Sequence, residues 1–134
     1  MDERVRAMRE RLLAVFKELR REGFLARANF KCCQTCAGYA LACEAAELLE
    51  KKGKEIKGVV FWHRQDEDDL RHRGYVWLAY GRVHTKEFGP LGLPTVEVGR
   101  ILCKKLEKYG LVYEWDGNPN TRIRVVGVVD NGGL

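Results

Sequence analysis

The chain has 134 residues, 46% hydrophobic and 32% charged, with five cysteines and a formal charge of +5. That length suits a single domain of about 100–150 residues spanning 1–134, and its size allows a buried core without covalent staples. No run approaches the ~20 apolar residues that cross a bilayer, so no membrane association is expected. An odd number of unevenly spaced cysteines argues against a secreted disulfide framework and for reduced thiols. The charged opening segment lacks the apolar run of a signal peptide, and a cytoplasmic location is expected.

Residues 4–22 place Val5, Met8, Leu12, Phe16 and Leu19 at helical spacing, with Gly23 as the stop. Between Asp2 and Glu22 seven basic residues mix with five acidic ones. That is a solvated helix face rather than the one-sided basic stripe of a nucleic-acid binder. A second helix is predicted over 34–52, turning Cys36, Tyr39, Ala40, Cys43, Ala46 and Leu49 inward and ending at Gly53. A strand over 57–64 follows, then the acidic run Asp66-Glu67-Asp68-Asp69, read as a solvated turn or helix start, and a second strand over 75–80. Gly89-Pro90-Leu91-Gly92-Leu93-Pro94 reads as a loop too apolar for a solvent linker. A third helix is predicted over 96–109, with Thr95 as N-cap and Gly110 as stop. Strands over 111–115 and 122–126 flank the turn-forming Asp116-Gly117-Asn118-Pro119-Asn120. The expected fold is α+β, in the order α-α-β-β-α-β-β. Three helices pack on a mostly antiparallel sheet of about four strands, built as two hairpins. The tail 130–134 is expected to fray.

Cys32-Cys33-Gln34-Thr35-Cys36 is the one chemically unusual segment. It lies at a predicted helix start, where free N–H groups present partial positive charge and stabilise a thiolate. Cys33-x-x-Cys36 has the spacing of both dithiol oxidoreductases and zinc knuckles, although no second such pair exists. Cys32 and Cys33, being adjacent, are expected to point to different environments. Cys43 lies ~10.5 Å along the helix axis from Cys36, too far to share one ion. Cys43 and Cys103 read as small buried hydrophobes.

A short connection joins the second helix to the first strand. The strand end should therefore return to the helix start, bringing His63 and Asp66 toward the thiols. Two site chemistries follow. Cys32 or Cys33, together with Cys36 and His63, can ligate zinc, with Asp66 or water as the fourth donor. Alternatively, Cys33 or Cys36 can act as the thiol of a small enzyme or redox sensor, with His63 as base and Asp66 orienting it. In a third reading the domain is structural or an adaptor, and the cysteines pack in the core. His72 and His84 read as surface residues, and Trp62, Trp77 and Trp115 as core. No serine triad, P-loop or Rossmann glycine pattern is present, and no partner or oligomeric state follows from the pattern.

Cys32-Cys33-Gln34-Thr35-Cys36, His63-Arg64-Gln65-Asp66 and Tyr80-Gly81 together resemble an uncharacterised bacterial domain family. That family is marked by Cys-Cys-Gln-x-Cys, His-x-Gln-Asp and Tyr-Gly motifs. The resemblance spans about residues 22–82. It implies no activity, cofactor or partner, only that the cysteine and histidine segments belong to one signature.

Overall fold

A computed structural model describes residues 1–129; the expectation for the tail 130–134 lies outside them. The chain is α+β, but the expected three helices and four strands are too few. Four helices and seven strands in two sheets occur among the described residues. In chain order they are α1 (Glu3–Arg21), β1 (Phe24–Arg27), α2 (Gln34–Lys52), β2 (Gly58–Phe61), α3 (Arg64–Arg73) and β3 (Val76–Gly81). Then follow β4 (Val83–Thr85), β5 (Gly89–Leu91), α4 (Thr95–Lys108), β6 (Leu111–Glu114) and β7 (Ile123–Val128).

The five-stranded sheet has the order β1-β2-β3-β7-β6; β1 and β2 are parallel and the other pairs antiparallel. Each departure from expectation has a local cause. β1 is only four residues long, too short to show alternation beside the strong α1 period. The segment 57–64 is a strand only to Phe61, because the acidic run becomes α3. Asp66 and Glu67 fill its first turn, where carboxylates meet free N–H groups, and Gly74 (φ 78°) closes it. β2 and β3 therefore pair across a helix and not as a hairpin. Val83 and Leu91 explain the apolar 89–94 stretch: β4 and β5 pair, and both residues bury against α2. Pro90 is tolerated because a two-stranded ribbon consists only of edges. The β6–β7 hairpin forms as expected. Pro94, not Thr95, precedes α4; the Thr95 hydroxyl instead accepts from the Arg82 N–H at 3.3 Å.

Strand alternation divides the core in two. On one face Phe24, Ala26, Val60, Val76 and Leu78 pack with Met8, Leu12 and Phe16 of α1, Leu70 of α3 and Leu102 of α4. Trp62 is fully buried there, its ring 5.1 Å from Phe16. On the other face Leu25, Val59, Phe61 and Ala79 meet Ala37, Leu41 and Ala45 of α2. Of the stripe expected to face inward, Ala46 is buried and Leu49 packs against this cluster, but Cys36, Tyr39 and Cys43 are exposed, and Ala37, Leu41 and Ala45 take their place. The helix is uncharged all round from Gln34 to Cys43, so its period there did not say which side meets the sheet.

This topology positions the site. The chain leaves β1 for α2 on one face and leaves the adjacent parallel β2 for α3 on the other. The carboxyl ends of β1 and β2 therefore form a switch point, the place where open α/β sheets present a crevice. The starts of α2 and α3 flank it. Among the described residues, no helix is long and apolar enough to cross a membrane.

Candidate functional site

Residues 28–33 carry the chain from β1 to α2 along this edge. Asn29 and Lys31 have left-handed φ values of 50° and 65°. Asn adopts that region readily, whereas for lysine it costs on the order of 1 kcal/mol. Two backbone bonds hold the turn: Phe30 N–H donates to Trp62 O at 2.9 Å, and Arg64 N–H donates to Lys31 O at 3.0 Å. The end of β2 does return to the start of α2, through these backbone contacts.

Cys33 is the N-cap of α2, with an extended backbone and no side-chain cap hydrogen bond. The corner turned here gathers three sulfurs. Cys32 Sγ lies 3.9 Å from Cys33 Sγ and 3.6 Å from Cys36 Sγ. All three sulfurs lie within 4.8 Å of one another. Cys32 and Cys33 thus share one environment, contrary to expectation; the chain bends between them instead of extending, which would have sent adjacent side chains apart. Cys32 and Cys36 are exposed and Cys33 is half-buried, so none of the three is a core residue.

Their acidities differ. The Cys36 backbone N–H, then the Cys36 and Cys32 thiols, then the Thr35 backbone N–H hold the Cys33 thiol below its ordinary value. The unpaired amides of a helix start thus act on the residue that caps it. Cys36 is pushed up to about 11, first by Cys33 and then by Cys32, because neighbouring thiolates disfavour a further negative charge.

His63 and Asp66 are brought together with each other. His63 is the N-cap of α3, and its Nε2 lies 3.2 Å from Asp66 Oδ2. The His63 backbone N–H donates to the same oxygen at 3.2 Å. Arg122 Nη1 donates to both Asp66 oxygens, at 3.0 and 3.2 Å. Both residues are buried. Among the described residues, the metal-capable atoms that cluster within 4.8 Å are the three sulfurs, and His63 is not one of the group.

Sequence reasoning missed Glu67. It is 3% exposed and accepts from Trp62 Nε1 at 2.9 Å, Arg9 Nε at 3.1 Å and Arg71 Nε at 2.7 Å. Burial raises its pKa, but these donors outweigh burial and hold the carboxyl below its ordinary value. Only the Arg71 spacing, four residues on, was visible in the sequence. Cys43, expected in the core, is exposed, and its thiol raises the pKa of Tyr39. Cys103 is buried as expected, and burial pushes it up to about 11. His72 and His84 lie on the surface.

Residues 5–129 match the family model described as a domain of unknown function, DUF6891. The chain belongs to the DUF6891 family. The match runs well beyond residues 22–82, taking in α4 and the β6–β7 hairpin. No curated protein and no solved structure matches the chain. In this DUF6891 domain the three segments behind the resemblance have separate tasks. The cysteines turn the chain into α2, and His63 and Asp66 begin α3. Tyr80 tethers the β6–β7 loop, its hydroxyl donating to Asn118 O at 3.1 Å and Thr121 O at 2.7 Å. Gly81, at φ 139°, passes so close to Thr95 that a Cβ would sit 2.8 Å from its hydroxyl.

Proposed function

We propose that this DUF6891 domain binds a soft metal ion, zinc in the first instance, through Cys32, Cys33 and Cys36. One observation carries the reading. A tetrahedral zinc with bonds of ~2.3 Å separates its sulfurs by about 3.8 Å. The two Cys32 sulfur separations, 3.9 and 3.6 Å, bracket that figure. The donor set is soft thiolate, which suits zinc and disfavours magnesium or calcium. In this reading His63 stays with Asp66 as the cap of α3, and the fourth position on the metal is open.

Metal analysis of protein purified without a metal-affinity tag tests this. Near-stoichiometric zinc, lost in Cys36→Ser with the fold intact by circular dichroism, is the expected result. Metal-free protein that takes up no zinc on titration removes the reading.

The Cys33-x-x-Cys36 spacing at a helix start, with the sulfurs within 4.8 Å of one another, supports a second reading, a dithiol that reduces a protein disulfide. The Cys33 thiolate would attack one sulfur of the target, releasing the other as a thiolate. Cys36 would then displace the target's remaining sulfur and leave a Cys33–Cys36 disulfide. In that case the protein carries no metal, and the oxidised form contains one intramolecular disulfide that Cys36→Ser converts to a trapped mixed disulfide. His63, engaged with Asp66, is not needed as the base.

A further inference from the structure

The first half of α2 is uncharged from Gln34 to Cys43, yet one side of it faces solvent. Tyr39 is 74% exposed, the most exposed of the large hydrophobic residues described. Cys43, seven residues beyond Cys36, returns to nearly the same side of the helix, because seven residues make almost two turns. Lys31, Cys32, Cys36, Tyr39, Cys43 and Glu47 line one continuous open depression. A cation thus stands at one end of this face and a carboxylate at the other, with thiols at both ends of the uncharged centre.

We infer that the exposed face of α2 is an antiparallel contact between two copies of this chain, in which the partner's Cys43 supplies the fourth thiolate to a metal held by Cys32, Cys33 and Cys36. The inference rests on the metal reading above and names what fills its open position.

The register follows from residue positions. A two-fold axis between Tyr39 and Ala40 sets Cys36 opposite the partner's Cys43 and Tyr39 opposite the partner's Ala40. It also sets Cys32 opposite the partner's Glu47. An isologous contact makes each pairing twice, so the dimer holds two equivalent four-thiolate sites. The tyrosine ring gains a small-residue seat on the facing helix. Packed helices approach to about 8–10 Å between axes, close enough for thiols from both sides to share an ion. Electrostatics selects the direction. Antiparallel packing brings Lys31 beside the partner's Glu47, an exposed carboxylate whose present ion pair is the i,i+4 contact with Lys51, whereas parallel packing would stack like charges. The ~10.5 Å between Cys36 and Cys43 along the axis, which prevents one copy from using both on one ion, is what lets two copies use both.

The test combines zinc titration of the full chain with light scattering and zinc X-ray absorption. Wild type is expected to bind one zinc per chain and to weigh twice 15.4 kDa. It should show four sulfur neighbours per zinc and return to monomer on chelation. Cys43→Ser should still take up zinc but remain monomeric, with three sulfurs and one lighter donor. Lys31→Glu and Glu47→Lys should each weaken the dimer at least tenfold, and their combination should restore it. Zinc-loaded wild type that stays monomeric, or Cys43→Ser that dimerises like wild type, overturns the dimer and leaves the three-thiolate site standing. Wild type that takes up no zinc removes the metal reading and this inference together.

Discussion

Glu67→Gln is the most direct probe of what fixes the start of α3. The carboxylate receives three donors: Trp62 Nε1 on one oxygen, and Arg9 Nε and Arg71 Nε on the other. A glutamine keeps one acceptor oxygen and turns an NH₂ group against either the indole or the arginines. Charge-assisted bonds contribute about 1.5–3 kcal/mol each when buried. The Arg9 and Arg71 side chains are 25% and 48% exposed, so water can replace much of what they lose. The Trp62 bond has no such substitute. The expected cost is therefore about 2 kcal/mol, at the low end for a broken buried charge network. At roughly 4 °C per kcal/mol for a domain of this size, Tm should fall by about 8 °C. The pH dependence supplies the sharper test. Because folding lowers the Glu67 pKa, its contribution is complete above the ordinary carboxyl value of 4.5 and is lost as pH falls through the folded value. Urea unfolding of both proteins from pH 7 to 3 should show the wild-type advantage shrinking below pH 4.5. An advantage that is flat with pH, or under about 0.5 kcal/mol at pH 7, would refute the argument.

Two further predictions concern packing and the thiols. A Cβ at Gly99 would lie 2.7–2.9 Å from ring atoms of Trp115 and Tyr80. Gly99→Ala gains about 1 kcal/mol of helix propensity but overpacks this contact by about 2 kcal/mol. A net loss near 1 kcal/mol is expected by denaturant melt, and an unchanged or raised midpoint would contradict it. With chelator present at pH 7, mass-mapped alkylation should label Cys33 first despite its lesser exposure. Cys36 should follow slowly, and Cys103 should react only on unfolding. The Cys33 rate should level off at a lower pH than a free thiol's; equal rates at Cys33 and Cys36 would argue against the asymmetry.

How much of this was legible in the sequence depends on the kind of signal each element carries. α1 was readable because Val5, Met8, Leu12, Phe16 and Leu19 form one stripe on a charged background, and burial follows that stripe. α2 was readable as a helix but not in its orientation, since Ala37, Leu41 and Ala45 compete with Cys36, Tyr39 and Cys43 on an uncharged surface. α3 was legible only as a turn or helix start, because Arg64–Arg73 contains a single apolar side chain, Leu70, and so displays no period. It is specified by capping and by Glu67, whose partners Arg9 and Trp62 come from elsewhere in the chain. The cysteine trio was legible as a cluster. Its convergence was not, because it depends on the positive φ of Lys31 and on the bonds that tie residues 30 and 31 to the end of β2. β1 and the β4–β5 pair were lost to brevity, since three or four residues cannot display a period.

The two helices at the switch point use the same physics to opposite ends. Each begins beside the carboxyl end of a parallel strand, and each presents unpaired amides there. At α3 those amides and the surrounding cations are occupied: Asp66 takes the His63 N–H and Arg122, and Glu67 takes Trp62, Arg9 and Arg71. Both carboxylates are buried while the arginines stay partly exposed, so this helix start is closed to an outside ligand. At α2 the capping residue is a cysteine whose side chain makes no cap hydrogen bond, and the first turn contains no acidic residue. Its amides therefore remain free to lower the pKa of a thiol and to favour negative charge at the surface. A serine or aspartate at position 33 would cap α2 better, by about 1 kcal/mol. The chain forgoes that stability at one of two otherwise equivalent helix starts. The α3 side supplies the anchor, through Arg64 to Lys31, that fixes the turn in which the three sulfurs converge.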